Sequence, residues 1–348
     1  MTSPRGAGGQ KGAGGHNPRV CVLGAGSWGT AIAAIAASRH PTIVWARDEG
    51  LAGEIDQGHH NPRYLKGLAL PPDLRATASL PHSLEAAEVV IVGVPSEGFR
   101  RVLEQVAPLI APGVPVVSIA KGFEGTSLMR MTSVIAEVLP GHPAATLSGP
   151  NLAREIMEGK AAASVVACAR ADVCEMLQSV LHAGLFRVYT NHDVVGVEVG
   201  GALKNVIAIA AGIGEGLGVG DNSRAAVIAR GLAEVTRLGT AMGGEPATFA
   251  GLAGLGDLLA TCMSPLSRNR HVGLELGRGR ALGEILAGMT EVAEGVHTSG
   301  LVMALAGRYG VEMPICAQIE AVVTGQASVS QAYLNLLRVR PGHESQPY

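Results

Sequence analysis

With 348 residues the chain exceeds the roughly 250–300 at which a single core stops growing, so two domains are expected. A formal net charge of −2 excludes the long-range positive field that gathers nucleic acid or an anionic membrane, so an anionic ligand has to be met by a few local cations. The five cysteines, Cys21, Cys168, Cys174, Cys262 and Cys316, are scattered without a CxxC pair, which speaks against structural zinc and for reduced thiols in a cytoplasm.

Met1–Asn17 mixes Gly with Arg and Lys and lacks the apolar stretch of a secretory signal, so residues 1–17 read as a disordered tail. The uncharged run Val20–Ser38 is interrupted by glycines, serines and Thr30, and it resolves into strand plus helix rather than a membrane span. Through residues 18–193, short β-branched runs alternate with helical stretches, the pattern of βαβ units on a parallel sheet. Strands are expected at Arg19–Leu23, Thr42–Trp45, Val89–Val94, Val116–Ile119 and Thr146–Ser148, with a continuation at Ser164–Ala167 and Phe186–Tyr189. The first five end in Gly24-Ala25-Gly26, Ala46-Arg47-Asp48, Pro95-Ser96, Ala120-Lys121-Gly122 and Gly149-Pro150-Asn151. Ligands of open α/β sheets bind outside the carboxyl ends of the strands, so these loops are expected to share one crevice.

Gly24-x-Gly26-x-x-Gly29 follows the first strand and opens a helix through Ala31–Ala37. In that context the glycines serve a tight turn, backbone approach to a pyrophosphate and close helix–strand packing, so residues 18 to about 48 are expected to bind a nicotinamide dinucleotide. At the end of the second strand, Asp48 could accept from a ribose 2′-OH and Arg47 could pair with a 2′-phosphate, which leaves NAD and NADP both open. Arg47 as a solvated loop cation is the plainer alternative. Lys121 adds a cation to the crevice unless it too is solvated.

After Asp193 the chain turns Ala-, Leu- and Gly-rich, and an all-helical second domain is expected over residues 194–340, with 341–348 frayed. Helices are expected at Val194–Gly212, Arg224–Met242, Leu255–Thr261, Arg268–Gly277, Leu282–Ala287, His297–Gly310 and Ile315–Val323. Lys204 sits in the apolar stretch that follows Gly200-Gly201. Such a lysine either snorkels to the surface or is buried in a site where its lowered pKa makes it an acid or base. The two glycines favour the second reading by letting the helix approach a ligand. Asp257 after Gly254-Leu255-Gly256 is either a helix cap or a site carboxylate. Ser267-Arg268-Asn269-Arg270 offers guanidinium, amide and hydroxyl groups at a helix start, suited to a phosphate or carboxylate, or simply forms an exposed basic helix end. No Ser/His/Asp triad and no metal-ligand spacing emerges, and His192 and His297 have no obvious partners.

Together these segments resemble bacterial-type NAD(P)-dependent glycerol-3-phosphate dehydrogenase from about Arg19 to Leu337. The carrying motifs are Gly24-Ala25-Gly26-Ser27-Trp28-Gly29-Thr30-Ala31, Val94-Pro95-Ser96, Lys121-Gly122, Ser148-Gly149-Pro150, Gly200-Gly201-Ala202-Leu203-Lys204-Asn205-Val206-Ile207-Ala208, Gly254-Leu255-Gly256-Asp257-Leu258 and Ser267-Arg268-Asn269-Arg270. The expected fold is α/β, an N-terminal doubly wound (Rossmann-type) parallel sheet with a C-terminal all-helical domain.

The resemblance implies that Ser27, Trp28, Arg47, Lys121 and Ala153 contact the NAD or NADP, that Val292 and Glu294 close over it, and that Arg268 reaches it. It implies a glycerol phosphate site of Lys121, Gly149, Asn151, Lys204, Asp257, Ser267, Arg268 and Asn269. Lys204 is then the proton donor or acceptor, Asp257 its support, and Arg268 with Asn269 the phosphate grip. The family commonly carries Ser or Thr where this chain has Asn151. The implied reaction is reversible hydride transfer between sn-glycerol 3-phosphate and dihydroxyacetone phosphate, feeding phospholipid synthesis in the cytoplasm. A homodimer is expected, with no metal, no nucleic acid and no stable membrane insertion. The alternatives are a 3-hydroxyacid dehydrogenase of the 6-phosphogluconate type and a non-catalytic NAD(H)-sensing module.

Overall fold

The computed structural model describes residues 17–289 and 291–338. The tails expected at either terminus lie outside these residues, apart from Asn17. In the first part of the chain β1 (Val20–Leu23), α1 (Ser27–Ala37) and β2 (Thr42–Trp45) form a βαβ unit. They are followed by α2 (Glu49–Asp56), β3 (Leu74–Thr77), α3 (Leu80–Leu84), β4 (Val89–Val92), α4 (Ser96–Val106), β5 (Val116–Ser118), α5 (Met131–Val138) and β6 (Ala144–Ser148). Then come α6 (Ala153–Met157), β7 (Ala162–Cys168), α7 (Ala171–Leu181) and β8 (Phe186–Asn191).

These strands make one sheet in the order β3-β2-β1-β4-β5-β6-β7-β8. Pairing is parallel from β3 across to β6, with Val20 beside both Thr42 and Val89. β7 runs antiparallel to β6 and parallel to β8, so the expected continuation of the parallel sheet reverses direction. The order of strands turns back between β1 and β4, which makes their carboxyl ends the switch point where open sheets bind ligands.

Alternation along the strands fixes the two faces. Val20, Val22, Val89 and Ile91 pack with Ile32, Ala33 and Leu177, whereas Cys21, Leu23, Val90 and Val92 pack with Phe99, Leu103, Val134 and Ile135. With both faces covered, the central strands read as continuous apolar runs. β3 escaped the sequence because only Leu74 is buried in this edge strand.

The remaining chain is helical: α8 (Val194–Gly216), α9 (Asp221–Ala241), α10 (Pro246–Phe249), α11 (Asp257–Met263), α12 (Arg268–Gly277), α13 (Leu282–Ala287), α14 (Glu294–Tyr309), α15 (Pro314–Val323) and α16 (Val329–Arg338). α8 is the core of this part, every residue from Gly196 to Gly214 being buried, and it is apolar all round for that reason. It is long and apolar enough to cross a membrane, as is Pro246–Met263, but 89% of the apolar window of α8 is buried by its neighbours. Glycine lets α12 lie against it. A Cβ on Gly212 would stand 2.1 Å from the Arg270 carbonyl oxygen, and one on Gly273 2.0 Å from that of Ile209. That register brings the N-terminus of α12 alongside Lys204 and Asn205. Glu198 ties α8 to the sheet region, accepting from Arg130 Nη1 at 2.6 Å and from the Thr132 amide at 2.8 Å. Burial pushes the Glu198 carboxyl up against those partners.

Candidate active site

The glycine turn sits at the switch point. Gly24 has φ +116°, which L side chains rarely adopt, and a Cβ on Gly29 would lie 2.0 Å from the Gly24 carbonyl oxygen. A Cβ on Gly26 would meet no atom within 4 Å, so open space lies above the start of α1. No side chain caps α1, and its first turn holds no acid, so its N-terminal amides are free for an anion. These observations fit a dinucleotide whose pyrophosphate rests on the turn.

Buried Asn61 holds the turn from beneath. Its Nδ2 donates to the Ala25 carbonyl at 3.0 Å and to Thr30 Oγ1 at 2.8 Å, while its Oδ1 accepts from the Tyr64 amide at 3.0 Å. Trp28 sets its ring edge-on to Phe186, centroids 6.0 Å apart, with its Nε1 buried and unpartnered. At the end of β2, Arg47 is exposed, and Asp48 caps α2 by accepting from the Leu51 amide at 2.8 Å. Ala153, half-buried, opens α6, which packs against α1.

The ends of β5 and β6 meet α8 and α11. Lys121 Nζ donates to the Gly149 carbonyl at 2.9 Å and to Asp257 Oδ2 at 2.7 Å. Lys204 Nζ donates to Asp257 Oδ1 and, at 2.7 Å, to Thr261 Oγ1. One carboxylate, 1% exposed, thus holds two ammonium groups. Burial pushes Lys204 down to about 7 even though Asp257 favours its charged form, and Lys121 adds to the lowering. A lysine poised near neutrality can give or take a proton at physiological pH.

Gly200 and Gly201 admit protein rather than ligand. A Cβ on Gly201 would stand 2.5 Å from Ser148 Oγ, and one on Gly200 2.8 Å from the Ala253 carbonyl. A single π-helical turn, Leu252–Gly256, leads directly into α11, whose first residue is Asp257. Gly149, at φ +135°, packs too closely on Ser164 for a side chain. Asn151 bonds Ser164 Oγ through Oδ1, leaving its Nδ2 buried and unpartnered, as is Ser148 Oγ.

At the start of α12, Ser267 caps the helix by accepting from the Arg270 amide at 3.2 Å. Asn269 donates to Asn205 Oδ1 at 3.0 Å and accepts from the Gly295 amide at 2.9 Å, pinning α12 between α8 and α14. Arg268 pairs with Glu291 at 2.5 Å, whereas Arg270 pairs with Glu215 at 2.5 Å. The two arginines of the motif therefore do different work. Glu294, at the start of α14, lies 3.5 Å from Asn205 Nδ2, and burial raises its pKa against the pull of Arg268 and the two lysines. Val292 is 57% exposed. Among the described residues no group of three or more His, Cys, Asp or Glu gathers as a metal site would require.

Sequence reasoning missed Thr261, Asn205, Asn61 and Glu291. Thr261 was findable, since it stands four residues after Asp257 on the same helical face. Asn205 adjoins Lys204 within the quoted motif. Asn61 and Glu291 lie in stretches without periodicity and carry no local signal.

Two family models match the chain, described as the N-terminus and the C-terminus of NAD-dependent glycerol-3-phosphate dehydrogenase, over residues 19–174 and 193–334. Glycerol-3-phosphate dehydrogenase [NAD(P)+] 2 of Sphingopyxis alaskensis is 53% identical over 329 residues, 94% of this chain and 99% of that protein. The Mycobacterium tuberculosis protein called glycerol-3-phosphate dehydrogenase [NAD(P)+] 1 is 52% identical over 330 residues, 94% and 97% of the two chains. A crystal structure of glycerol-3-phosphate dehydrogenase from Coxiella burnetii superposes with a TM-score of 0.89 at 37% identity, covering 92% of this chain and 99% of its own.

Proposed function

The chain belongs to the NAD-dependent glycerol-3-phosphate dehydrogenase family, and from that premise we propose what each residue of the cleft contributes. It is an NAD(P)-dependent oxidoreductase that interconverts glycerol 3-phosphate and dihydroxyacetone phosphate. The residue-level reading rests on one observation, the buried Lys204 ammonium, poised near neutrality and held on Asp257 and Thr261.

When bound, the nicotinamide carries the hydride to or from C2 of the substrate. In reduction Lys204 gives its Nζ proton to the ketone oxygen, and in oxidation neutral Lys204 takes the hydroxyl proton. Asp257 keeps Nζ aimed at the reacting oxygen, and Lys121 orients the same carboxylate from the other side. Arg268, Ser267 and Asn269 at the N-terminus of α12 receive the substrate phosphate, since guanidinium and helix amides both favour a dianion. Gly149 and Asn151 complete the substrate's surroundings, the free Nδ2 of Asn151 supporting a donor role. The dinucleotide is held by Gly24, Gly26 and Gly29, by Ser27 and Trp28, by exposed Arg47 at its adenosine end, and by Lys121, Ala153, Arg268, Val292 and Glu294. Either NAD or NADP serves as cofactor.

The proposal extends to a cytoplasmic homodimer, with residues 18–193 as dinucleotide domain and 194–340 as catalytic domain, supplying glycerol 3-phosphate for phospholipid assembly. Free, buried cysteines support the cytoplasmic setting, and sedimentation velocity tests the dimer. The function itself is tested by initial rates of NADH and NADPH oxidation by pure protein with dihydroxyacetone phosphate. Turnover of a 3-hydroxy acid in its place would refute the substrate, and binding without turnover would refute catalysis.

A further inference from the structure

Glu291 has no part in the chemistry above, yet its carboxylate spans the cleft. Oε1 accepts from Ser27 Oγ at 2.7 Å, and Oε2 accepts from Arg268 Nη1 at 2.5 Å. Ser27 is the first residue of α1 and Arg268 the first of α12. One carboxylate therefore links the amino ends of two helices, one from the sheet region and one from the helical region.

Both ends attract anions, since helix amides and dipoles concentrate positive potential there. Neither helix has an acid in its first turn, and α1 has no side-chain cap, so Glu291 supplies the negative charge that the sequence of α1 omits. It does so beside Gly26, where the backbone borders open space. The Ser27 hydroxyl also lies 3.3 Å from the Tyr64 carbonyl, but the shorter contact is to Glu291.

We propose that Glu291 is a resident anion that holds the pyrophosphate position of the nucleotide-free protein, so that the dinucleotide binds by displacing it. This rests on the dinucleotide reading of the glycine turn. Pyrophosphate and carboxylate cannot share Ser27 and Arg268 without like-charge repulsion, and the side chain of Glu291, 25% exposed, has water at hand when it leaves. Measured affinity is then the intrinsic affinity scaled by the fraction of protein in which the position is free. Glu291 thereby sets how tightly the cofactor binds without touching the hydride or proton transfer.

The test is direct binding, separate from turnover. NADH titrations by fluorescence compare the native protein with Glu291→Gln and Glu291→Ala, alongside thermal unfolding with and without NADH. Both variants are expected to bind NADH roughly threefold to tenfold more tightly. Their nucleotide-free melting temperature falls, because the Ser27 and Arg268 contacts weaken, while the rise on adding NADH grows. ADP-ribose, which keeps the pyrophosphate but lacks nicotinamide, should show the same gain. Unchanged NADH affinity in both variants would overturn the proposal, and weakened affinity would instead make Glu291 a positioning residue for Arg268. A native protein that binds neither NADH nor NADPH would overturn the dinucleotide reading itself, and this inference with it.

Discussion

Asp257 places one carboxylate between two ammonium groups, and Asp257→Asn removes that charge while keeping the side-chain volume. The carboxylate is 1% exposed and the Lys204 side chain 7%, so water cannot replace the lost partner. Burial already pushes Lys204 down to about 7 with Asp257 in place, and losing that attraction lowers it further. The unfolded chain keeps this proton up to about pH 10. Wherever the folded state lacks it, stability rises with pH by about 1.4 kcal/mol per unit. Above pH 7 Lys204 is mostly neutral in both folded proteins, and the stability gap between native protein and variant stays flat. Below pH 7 the native protein takes up the proton before the variant does, so the gap widens towards pH 5.5, by at most about 2 kcal/mol. Urea unfolding at pH 5.5 and pH 8, followed by circular dichroism, measures this gap. Repeating it in a Lys204→Met background should abolish the pH-dependent part. A gap that is equal at both pH values in the native background would refute the coupling of Asp257 to Lys204.

Lys204→Met is expected to lower kcat by roughly a hundredfold or more while nucleotide affinity, measured by NADH titration, is nearly kept. Arg268→Ala should raise KM for dihydroxyacetone phosphate far more than for unphosphorylated dihydroxyacetone, since only the former loses a charge-assisted contact; equal effects would take Arg268 out of the phosphate site. Asn61→Asp sets a carboxylate against the Ala25 carbonyl that now accepts from Nδ2, so KM for NADH should rise roughly tenfold with kcat at saturation within about twofold.

The legible parts of the molecule were those where local chemistry admits one solution. Gly24, Gly26 and Gly29 have a single stereochemical use after a buried strand, and α12 begins and ends where Ser267 and the glycine-rich turn after Gly277 imply. The reversal of β7 and β8 was not legible, because strand direction depends on how the connections pack and not on the residues within the strand. α14 begins at Glu294, three residues before the expected His297, because the Gly295 amide is fastened to Asn269 across the fold. Gly200 and Gly201 marked close approach correctly but not what approaches, which is protein backbone and Ser148. Local sequence leaves Asp257 open between cap and site, because the lysines that surround it stand 53 and 136 residues away in the chain. Glu291 is the extreme case, bonded to Ser27 of the glycine turn across 264 residues with no motif of its own to announce it.

The central claim is that Lys204 is the group exchanging a proton with the substrate oxygen. The most direct measurement is kcat against pH in both directions with saturating cofactor and substrate. Reduction of dihydroxyacetone phosphate needs the protonated amine and should fall as pH rises through about 7, whereas oxidation of glycerol 3-phosphate needs the neutral amine and should rise through the same range. Profiles that are flat between pH 6 and 8.5 in both directions, with Lys204→Met giving native turnover, would contradict it.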